Sequence, residues 1–369
     1  MALEVDDHYQ ELFHMLNSHE LTDDDLQNAW YRFKLCSDSG FLLHAIPSEY
    51  GGNGDTFHTL CKAYEALGFF TRDPGLIVSL QSHLWGLLFP ILLYGTEEQK
   101  HEYMPKLLEG EAIGGYAITE PDTGGGVACL NATAKKVKDG YKISAHKRFI
   151  TNTPIAKYIL LYAYVKQDLC AFIIDVEDEG VEFYDVMATE GLITAPMGDV
   201  LLEECFVPES RMIGDIGEGK AIAKFTREME RCFLYAGIGG LMKWQLEQIS
   251  IYVNQRKSGG NIISSNQSVI HKIAEMKLRL DTVKLWVKRC AYLKDNNEAI
   301  TLNSAQAKLY CSEAFLQSSL DTMQLMGAMG LSPHHYYIQW VEDALALKVL
   351  SGPEEIHKNL IAKHLGLNQ

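Results

Sequence analysis

"YAITEPDTGGGVACLNATA" (residues 116–134) marks the point at which the chain changes from one kind of structure to another. Before about residue 112, apolar residues recur at helical spacing, and after the stretch short alternating runs begin. The glycines do not form a phosphate-binding loop, because "TGGGV" lacks the lysine and the Ser or Thr of that motif. Taken alone, they indicate a turn between helical structure and strands.

Three domains follow from the pattern on either side of this stretch. Residues 1–112 carry apolar residues every three or four positions, which predicts an N-terminal α-helical domain. Residues 113–218 contain runs such as "YKISAH", "KYILLYAYV" and "CAFIIDV" between turn signals, which predict a β domain. Residues 219–369 hold three long helical patterns, which suit an antiparallel bundle. This α, β, α order disfavours a doubly wound nucleotide fold.

The charge and cysteine content exclude several classes of protein. A formal charge of −15 without a long basic run argues against a nucleic-acid partner. The eight cysteines contain no C-x-x-C pair, so we expect reduced thiols and a cytoplasmic protein rather than a zinc or disulfide framework. The acidic start of the chain does not resemble a secretory signal.

Two further features suggest functions that we do not assign. The apolar run 74–95 is interrupted by Gln81, Ser82, His83 and Pro90, which favours buried helices over a membrane anchor. His334 and His335 are adjacent and have no third ligand nearby in the sequence, so we predict a loop and no metal site.

The stretch 116–134 and the segment "DGYKISAHKRFITNTPIAKY" (139–158) together resemble the central region of the acyl-CoA dehydrogenase family. Further motifs follow in the family's order, among them "MERCFLYAGIGG" (229–240), "QRKSGGNIISSNQ" (255–267) and "VLSGPEEIH" (349–357). The resemblance covers essentially the whole chain. It implies an α+β multidomain fold with an N-terminal α-helical domain, a central β-barrel and a C-terminal four-helix bundle.

The resemblance also implies FAD as the cofactor, because polar groups at the family's flavin positions can hold the ring and tune its redox potential. Phe149 stands where the family usually has tryptophan and would pack against the isoalloxazine ring. Arg256 in "QRKSGG" matches an arginine that reaches the FAD of a neighbouring subunit in the family. The predicted cofactor-binding residues are Tyr116, Ile118, Thr119, Gly124, Gly125, Phe149, Thr151, Arg256, Gln267, Gln324, Gly327, Pro353 and Glu355.

The chain departs from the family pattern at several of these positions. Three glycines at 124–126 replace the usual Gly-Ser-Asp, so a serine hydroxyl near the FAD phosphate is missing. "RKSGG" (256–260) replaces R-x-x-F-G and lacks an aromatic ring beside the cofactor. Pro353 replaces a threonine and offers neither a hydroxyl nor an N–H near the adenosine end. These changes predict that FAD is held more loosely.

The proton-abstracting base is also displaced from its usual place. In many family members a glutamate precedes the Gly-Thr pair, and here that position is Ser351, whose hydroxyl cannot deprotonate carbon near neutral pH. Isovaleryl-CoA and long-chain acyl-CoA dehydrogenases instead carry the glutamate before an arginine on another helix, which Glu230 and Arg231 match. Glu230 shares a helical stripe with Leu234, Gly237 and Leu241, and desolvation there would raise its pKa. Glu228, on a different face, is predicted to be solvated.

The resulting hypothesis is α,β-dehydrogenation of an acyl thioester, with Glu230 as base and Arg231 and Ser351 in the substrate site. The thioester is carried by CoA or by an acyl or peptidyl carrier protein, and a natural-product pathway is plausible. Electrons leave to an electron-transferring flavoprotein or to oxygen, and a homodimer or homotetramer is expected. Two alternatives stay open: a flavin monooxygenase or oxidase on the same fold, and a catalytically inactive member of the family.

Overall fold

The N-terminal domain is built from helices whose starts are fixed by side-chain caps. The computed structural model describes residues 8–18, 25–123, 129–187, 189–332 and 336–367. Thr56 caps α3, Asp73 caps α4 ahead of Pro74, and Thr96 forms a capping box with Gln99 at α6. The helices are α1 (His8–Ser18), α2 (Asp25–Asp38), α3 (Phe57–Thr71), α4 (Pro74–His83), α5 (Phe89–Tyr94) and α6 (Glu97–Leu108).

A π-helical turn, Leu84–Leu88, joins α4 to α5 and makes Pro74–Tyr94 one continuous helical segment. This segment is long and apolar enough to cross a membrane, but 94% of its most apolar 18-residue window is buried inside the protein. Several of its polar residues find partners there: His83 contacts the Leu107 carbonyl at 3.1 Å, and Trp85 donates to Gln81. The buried Ser82 hydroxyl has no partner in the described part of the chain. The segment therefore forms the centre of the N-terminal domain, as the interrupted apolar run predicts.

The middle domain is an eight-stranded sheet with the strand order β6-β7-β3-β2-β4-β5-β8, and β1 pairs with β4 in parallel. Among the described residues the two end strands, β6 and β8, do not pair, so the sheet is open and the predicted closed barrel is not confirmed. The strands are β1 (Gly114–Ala117), β2 (Thr133–Val137), β3 (Gly140–Thr151), β4 (Tyr158–Val165), β5 (Asp168–Asp175), β6 (Val181–Met187), β7 (Met197–Pro208) and β8 (Met212–Ile213).

Strand β4 explains why its sequence is a continuous apolar run. Leu160 and Tyr162 point into the core shared with the helices, whereas Ile159, Leu161 and Ala163 point into a second core within the sheet. A strand that is buried on both faces has no solvent side to carry polar residues. The alternation of two apolar sets therefore replaces the usual alternation of apolar and polar residues.

The C-terminal domain is helical and contains three long helices, as predicted. Its elements are α7 (Gly219–Gln255), a short hairpin of β9 (Lys257–Ser258) and β10 (Asn261–Ile262), α8 (Gln267–Asp295), α9 (Thr301–Met326), α10 (Tyr337–Val349) and α11 (Glu354–His364). Helix α7 packs against α8 and α9 within the domain and against α3 of the N-terminal domain. Together with α8, which also packs against α3, it joins the two helical domains.

Glycines allow α3 and α7 to approach at backbone distance. A Cβ on Gly68 would lie 1.8 Å from the Gly237 carbonyl oxygen, and one on Gly240 would lie 1.9 Å from that of Glu65. Gly239 is different, because the nearest atom to its Cβ would be Val283 Cγ1 at 3.7 Å. The "GIGG" motif is thus a close helix contact and not a ligand-binding loop.

Adjacent glycines give a matched test of this contact. Gly240→Ala would overpack the crossing, which typically costs about 1–3 kcal/mol, and is expected to lower the thermal midpoint of the protein by several degrees. Gly239→Ala has room for the methyl group and gains helix propensity worth about 1 kcal/mol, so its midpoint is expected to stay level or rise. If scanning calorimetry gave the same thermal midpoint for Gly240→Ala and Gly239→Ala, the close backbone contact between α3 and α7 would be contradicted.

Candidate active site

A cavity of about 870 Å³ lies where the middle domain meets α7 and the α10–α11 corner. The ends of β1 and β3 and the loop 189–192 form one side, and Arg227, Glu230 and Arg231 of α7 form another. The corner between α10 and α11 closes it with residues 349–353. Elements far apart in the sequence therefore share one space.

Glu230 stands in the wall of this cavity with its side chain almost withdrawn from solvent, at 3% exposure. The Tyr116 hydroxyl donates to Glu230 Oε2 at 2.9 Å, and the Ser351 hydroxyl donates to the same oxygen. Gly86 of the π-helical turn lets the Tyr116 ring approach, because a Cβ there would lie 2.5 Å from Tyr116 Cδ1. Glu230 and Ser351, 121 positions apart in the chain, are thus direct neighbours.

Opposing effects act on the pKa of Glu230. Burial raises the pKa, because removal from water penalises the charged form. The hydrogen bonds from Ser351 and Tyr116 favour the carboxylate and lower the pKa, as do the charges of Arg231 and Lys308. The burial effect is the largest, so the pKa of Glu230 lies above the ordinary glutamate value.

The corner that carries Ser351 is held by hydrogen bonds from buried basic side chains to its carbonyl groups. Ser351 and Gly352 both have positive φ, at 56° and 100°. Arg231 Nε donates to the Ser351 carbonyl at 3.2 Å, and His357 Nε2 lies 3.0 Å from the Gly352 carbonyl. Lys308, which is 1% exposed, donates to the Leu347 carbonyl at 2.8 Å at the end of α10. These bonds fix the direction of the Ser351 hydroxyl.

Four of the predicted flavin residues line the opposite part of the cavity: Ile118, Thr119, Phe149 and Thr151. Phe149 sits where the pairing of β3 with β7 is irregular, with φ of 59° and 48% exposure, and its N–H donates to Asp199 Oδ1 at 3.2 Å. The Arg148 guanidinium lies over the Phe149 ring, 4.9 Å from its centroid, so the ring has one cation–π partner and only its other face can pack against a flavin. In the described part of the chain the Thr119 and Thr151 hydroxyls have no protein partner. Free hydroxyls beside an open aromatic face fit a flavin ring.

A buried ion pair holds the segment that carries Thr119. Lys147 Nζ lies 2.8 Å from Glu120 Oε1, and both side chains are almost fully buried. Glu120 also accepts the N–H groups of Asn131 and Ala132, at 2.5 and 3.0 Å, and Lys147 donates to the Ile118 carbonyl at 3.2 Å. Burial lowers the pKa of Lys147 to about 8, against the opposing effect of Glu120. The pair ties the loop after β1 to β3.

The remaining predicted residues lie elsewhere. Pro353 lines the cavity, whereas Glu355 is exposed outside it. Gly124 and Gly125 fall outside the described residues, as do His334 and His335, and the described ranges contain no cluster of three or more metal-ligating side chains. The residues expected to serve a neighbouring subunit are exposed and lie outside the cavity: Arg256, Gln267, Gln324 and Gly327. That placement is compatible with a role across an interface.

The sequence interpretation was wrong on Glu228 and missed Arg227. The Glu228 side chain is only 13% exposed and pairs with Lys224 at 3.5 Å, so it is not solvated, because α7 packs more tightly there than its charges suggest. Arg227 lines the cavity beside Glu230. Its position three residues before Glu230 on one helix was the available signal.

Known proteins match along the whole length of the chain. Models described as acyl-CoA dehydrogenase N-terminal, middle and C-terminal domains match residues 10–111, 115–205 and 217–366. The chain is 32% identical over 342 residues to L-prolyl-(peptidyl-carrier protein) dehydrogenase of Pseudomonas fluorescens, covering 91% of this chain and 90% of that protein.

Solved structures are similar over nearly every residue. The prolyl acyl carrier protein oxidase AnaB superposes with a TM-score of 0.93 at 32% identity, covering 98% of both chains. A structure of PigA with FAD and proline superposes with a TM-score of 0.90 at 28% identity, covering 100% of both chains.

The buried ion pair can be tested against an exposed pair in the same domain. Glu120→Gln leaves the Lys147 ammonium without a carboxylate, and breaking a buried pair costs about 3–5 kcal/mol, so we expect a large fall in thermal midpoint and loss of FAD on dilution. Glu209→Gln removes the partner of Lys136, at 2.7 Å but half exposed, and is expected to cost at most about 1 kcal/mol. If Glu120→Gln behaved like Glu209→Gln, the pair would not hold the loop.

Proposed function

Because the chain belongs to the acyl-CoA dehydrogenase family and is an FAD-dependent oxidoreductase acting on the CH–CH group of acyl thioesters, we propose that Glu230 is its catalytic base. Glu230 removes the α-proton of the thioester. FAD, when bound, would supply the acceptor for the β-hydrogen, which leaves as a hydride, and the product would be the α,β-unsaturated thioester.

The arrangement of the two Glu230 oxygens carries this proposal. Both hydroxyl donors, Tyr116 and Ser351, use Oε2. In the described residues Oε1 has no hydrogen-bond donor, and the side chain lines the cavity. Oε1 is therefore the atom that takes the proton, while the bonds to Oε2 orient the carboxyl group. The raised pKa brings the carboxylate closer to the basicity that deprotonation of carbon needs.

The protein also keeps water away from this step. The buried apolar side chains of Ile118, Ile150 and Leu192 line the cavity together with Glu230. A dry site strengthens the electrostatic interactions inside it and leaves the carboxylate without competing solvent donors. Once protonated, Glu230 is a neutral group in a buried position, which removes the desolvation cost of its charge.

For the substrate, we propose a prolyl group or a similarly small acyl group on a carrier protein. The similarity to the Pseudomonas fluorescens enzyme, at 32% identity across nine-tenths of the chain, supports this choice, and so does the superposition on AnaB. The acceptor of the electrons is oxygen or an electron-transferring flavoprotein, which oxygen uptake during turnover distinguishes. We propose a cytoplasmic enzyme, which the eight unpaired cysteines support.

We further propose a homodimer or homotetramer in which Arg256 and Gln267 reach the FAD of a neighbour. Their exposure at the far end of α7 and the start of α8 supports a role outside their own cavity. Closed symmetry would give every subunit the same contact.

Replacing the base gives a direct test. Glu230→Gln is expected to keep FAD but to reduce the rate of anaerobic flavin bleaching by prolyl-loaded carrier protein by at least 10²–10⁴-fold, the usual contribution of a general base. Glu228→Gln is the matched control, since Glu228 is a partly buried glutamate on the same helix outside the cavity. It is expected to bleach at nearly the wild-type rate. If Glu230→Gln bleached at the wild-type rate, Glu230 would not be the catalytic base.

The Ser351 hydrogen bond predicts a change in pH dependence. The base works as the carboxylate, so the bleaching rate falls as pH drops through the pKa of Glu230. Ser351→Ala removes a bond that lowers this pKa, and the acid limb of the rate profile is therefore expected to move to higher pH. If the acid limb of the Ser351→Ala profile stayed in place or moved to lower pH, the Ser351 hydrogen bond would not lower the pKa of Glu230.

A further inference from the structure

Four basic residues form one stripe along the first turns of α7. Lys220, Lys224, Arg227 and Arg231 follow one another at spacings of four, three and four, which places them on the same helix face. Arg227 and Arg231 line the cavity, whereas Lys220 and Lys224 are exposed outside it. The stripe therefore leads from solvent to the cavity wall, on a chain with a formal charge of −15.

The rise of helix α7 gives the distance along its axis from Glu230 to the exposed lysines. At a rise of about 1.5 Å per residue, Lys224 lies about 9 Å and Lys220 about 15 Å along the axis from Glu230. The thioester must reach Glu230, and the pantetheine arm that carries it ends in a phosphodiester on the carrier protein. A pantetheine arm that follows α7 out of the cavity would therefore emerge near Lys220 and Lys224. The surface of the carrier protein would then lie against these two lysines.

Nearby charges leave the outer part of the stripe available. Lys224 contacts Glu228 at 3.5 Å, a loose pair, and in the described part of the chain Lys220 makes no ion pair. Asp215 and Glu218 precede the stripe, but Glu218 Oε2 is engaged by the Asp215 N–H at 2.8 Å. The hairpin of β4 and β5 carries exposed Lys166 in its turn and exposed Asp168 at the start of β5. Asp168 lies beside the start of α7, since a Cβ on Gly217 would lie 3.6 Å from its Oδ1, so Lys220 and Lys224 supply the positive charge of this surface.

We propose that Lys220 and Lys224 form the docking surface for an acidic carrier protein, and that Arg227 meets the pantetheine arm as it enters the cavity. This inference rests on the proposed function, because it assumes a carrier-bound thioester. Charge complementarity supports it: a positive patch on an otherwise acidic protein attracts an acidic partner and sets its orientation at the cavity mouth.

Charge reversal tests the surface with a matched control. Lys224 and Lys277 are both exposed lysines on long helices, at 60% and 58%, with a carboxylate four residues on, Glu228 and Asp281. Lys224→Glu, alone and with Lys220→Glu, is expected to raise KM for prolyl-loaded peptidyl carrier protein at least tenfold, whereas Lys277→Glu leaves it within twofold. All variants are expected to turn over the prolyl thioester of N-acetylcysteamine, which has no carrier, at the wild-type rate.

Each other outcome has a defined meaning. An unchanged KM for the carrier substrate, or an equal effect of Lys277→Glu, would overturn the docking surface. A larger loss with prolyl-CoA than with the carrier substrate would assign the stripe to the phosphates of CoA and would also overturn it. If wild type turned over neither thioester, the proposed function would fail. The docking surface would then be decided by direct titration of the unloaded phosphopantetheinyl carrier protein, where the affinity of Lys220→Glu/Lys224→Glu is expected to drop and that of Lys277→Glu is not.

Discussion

A carboxylate taken out of water is the constraint around which this structure is organised. Glu230 is tolerated in the interior because hydroxyls from the middle domain and from the α10–α11 corner donate to one of its oxygens. Those donors are correctly placed only if the domains pack as they do: the π-helical turn makes room for Tyr116, and Arg231 holds the carbonyl of Ser351. The burial that raises the pKa of Glu230 and the bonds that limit the rise come from the same packing.

The close contact of α3 with α7 has a related role. Helix α7 carries Glu230, Arg231 and the basic stripe, so any displacement of this helix moves the Glu230 carboxyl group relative to the rest of the cavity. Glycines at the crossing bring the backbones of α3 and α7 into van der Waals contact, so the two helices cannot shift past each other without steric overlap. In the same way, the buried pair of Glu120 and Lys147 restricts the movement of the loop after β1.

Much of this could be predicted from the sequence, and the parts that could not have physical reasons. The long helices and strands were predicted correctly because hydrophobic periodicity and segment length are local properties of the sequence. The link between Glu230 and Ser351 came only from the family resemblance. Whether a sheet closes depends on pairing between its end strands, which local patterns do not encode, and here the barrel was not confirmed. The solvation of Glu228 was misjudged because burial by a neighbouring domain leaves no mark on helical periodicity. The pairing of Lys147 with Glu120 bridges 27 positions and has no signature in spacing.

The meeting of Ser351 and Glu230 on a single oxygen limits how such an enzyme can change. The two positions that can supply a base in this family converge on one small volume, so a second carboxylate at 351 would face the first at repulsive distance, and one of the two would hold its proton. A carboxylate at 351 is therefore compatible with Glu230 only if the two acids share a proton. The hydroxyl at 351 donates to Glu230 without adding a second charge to this volume.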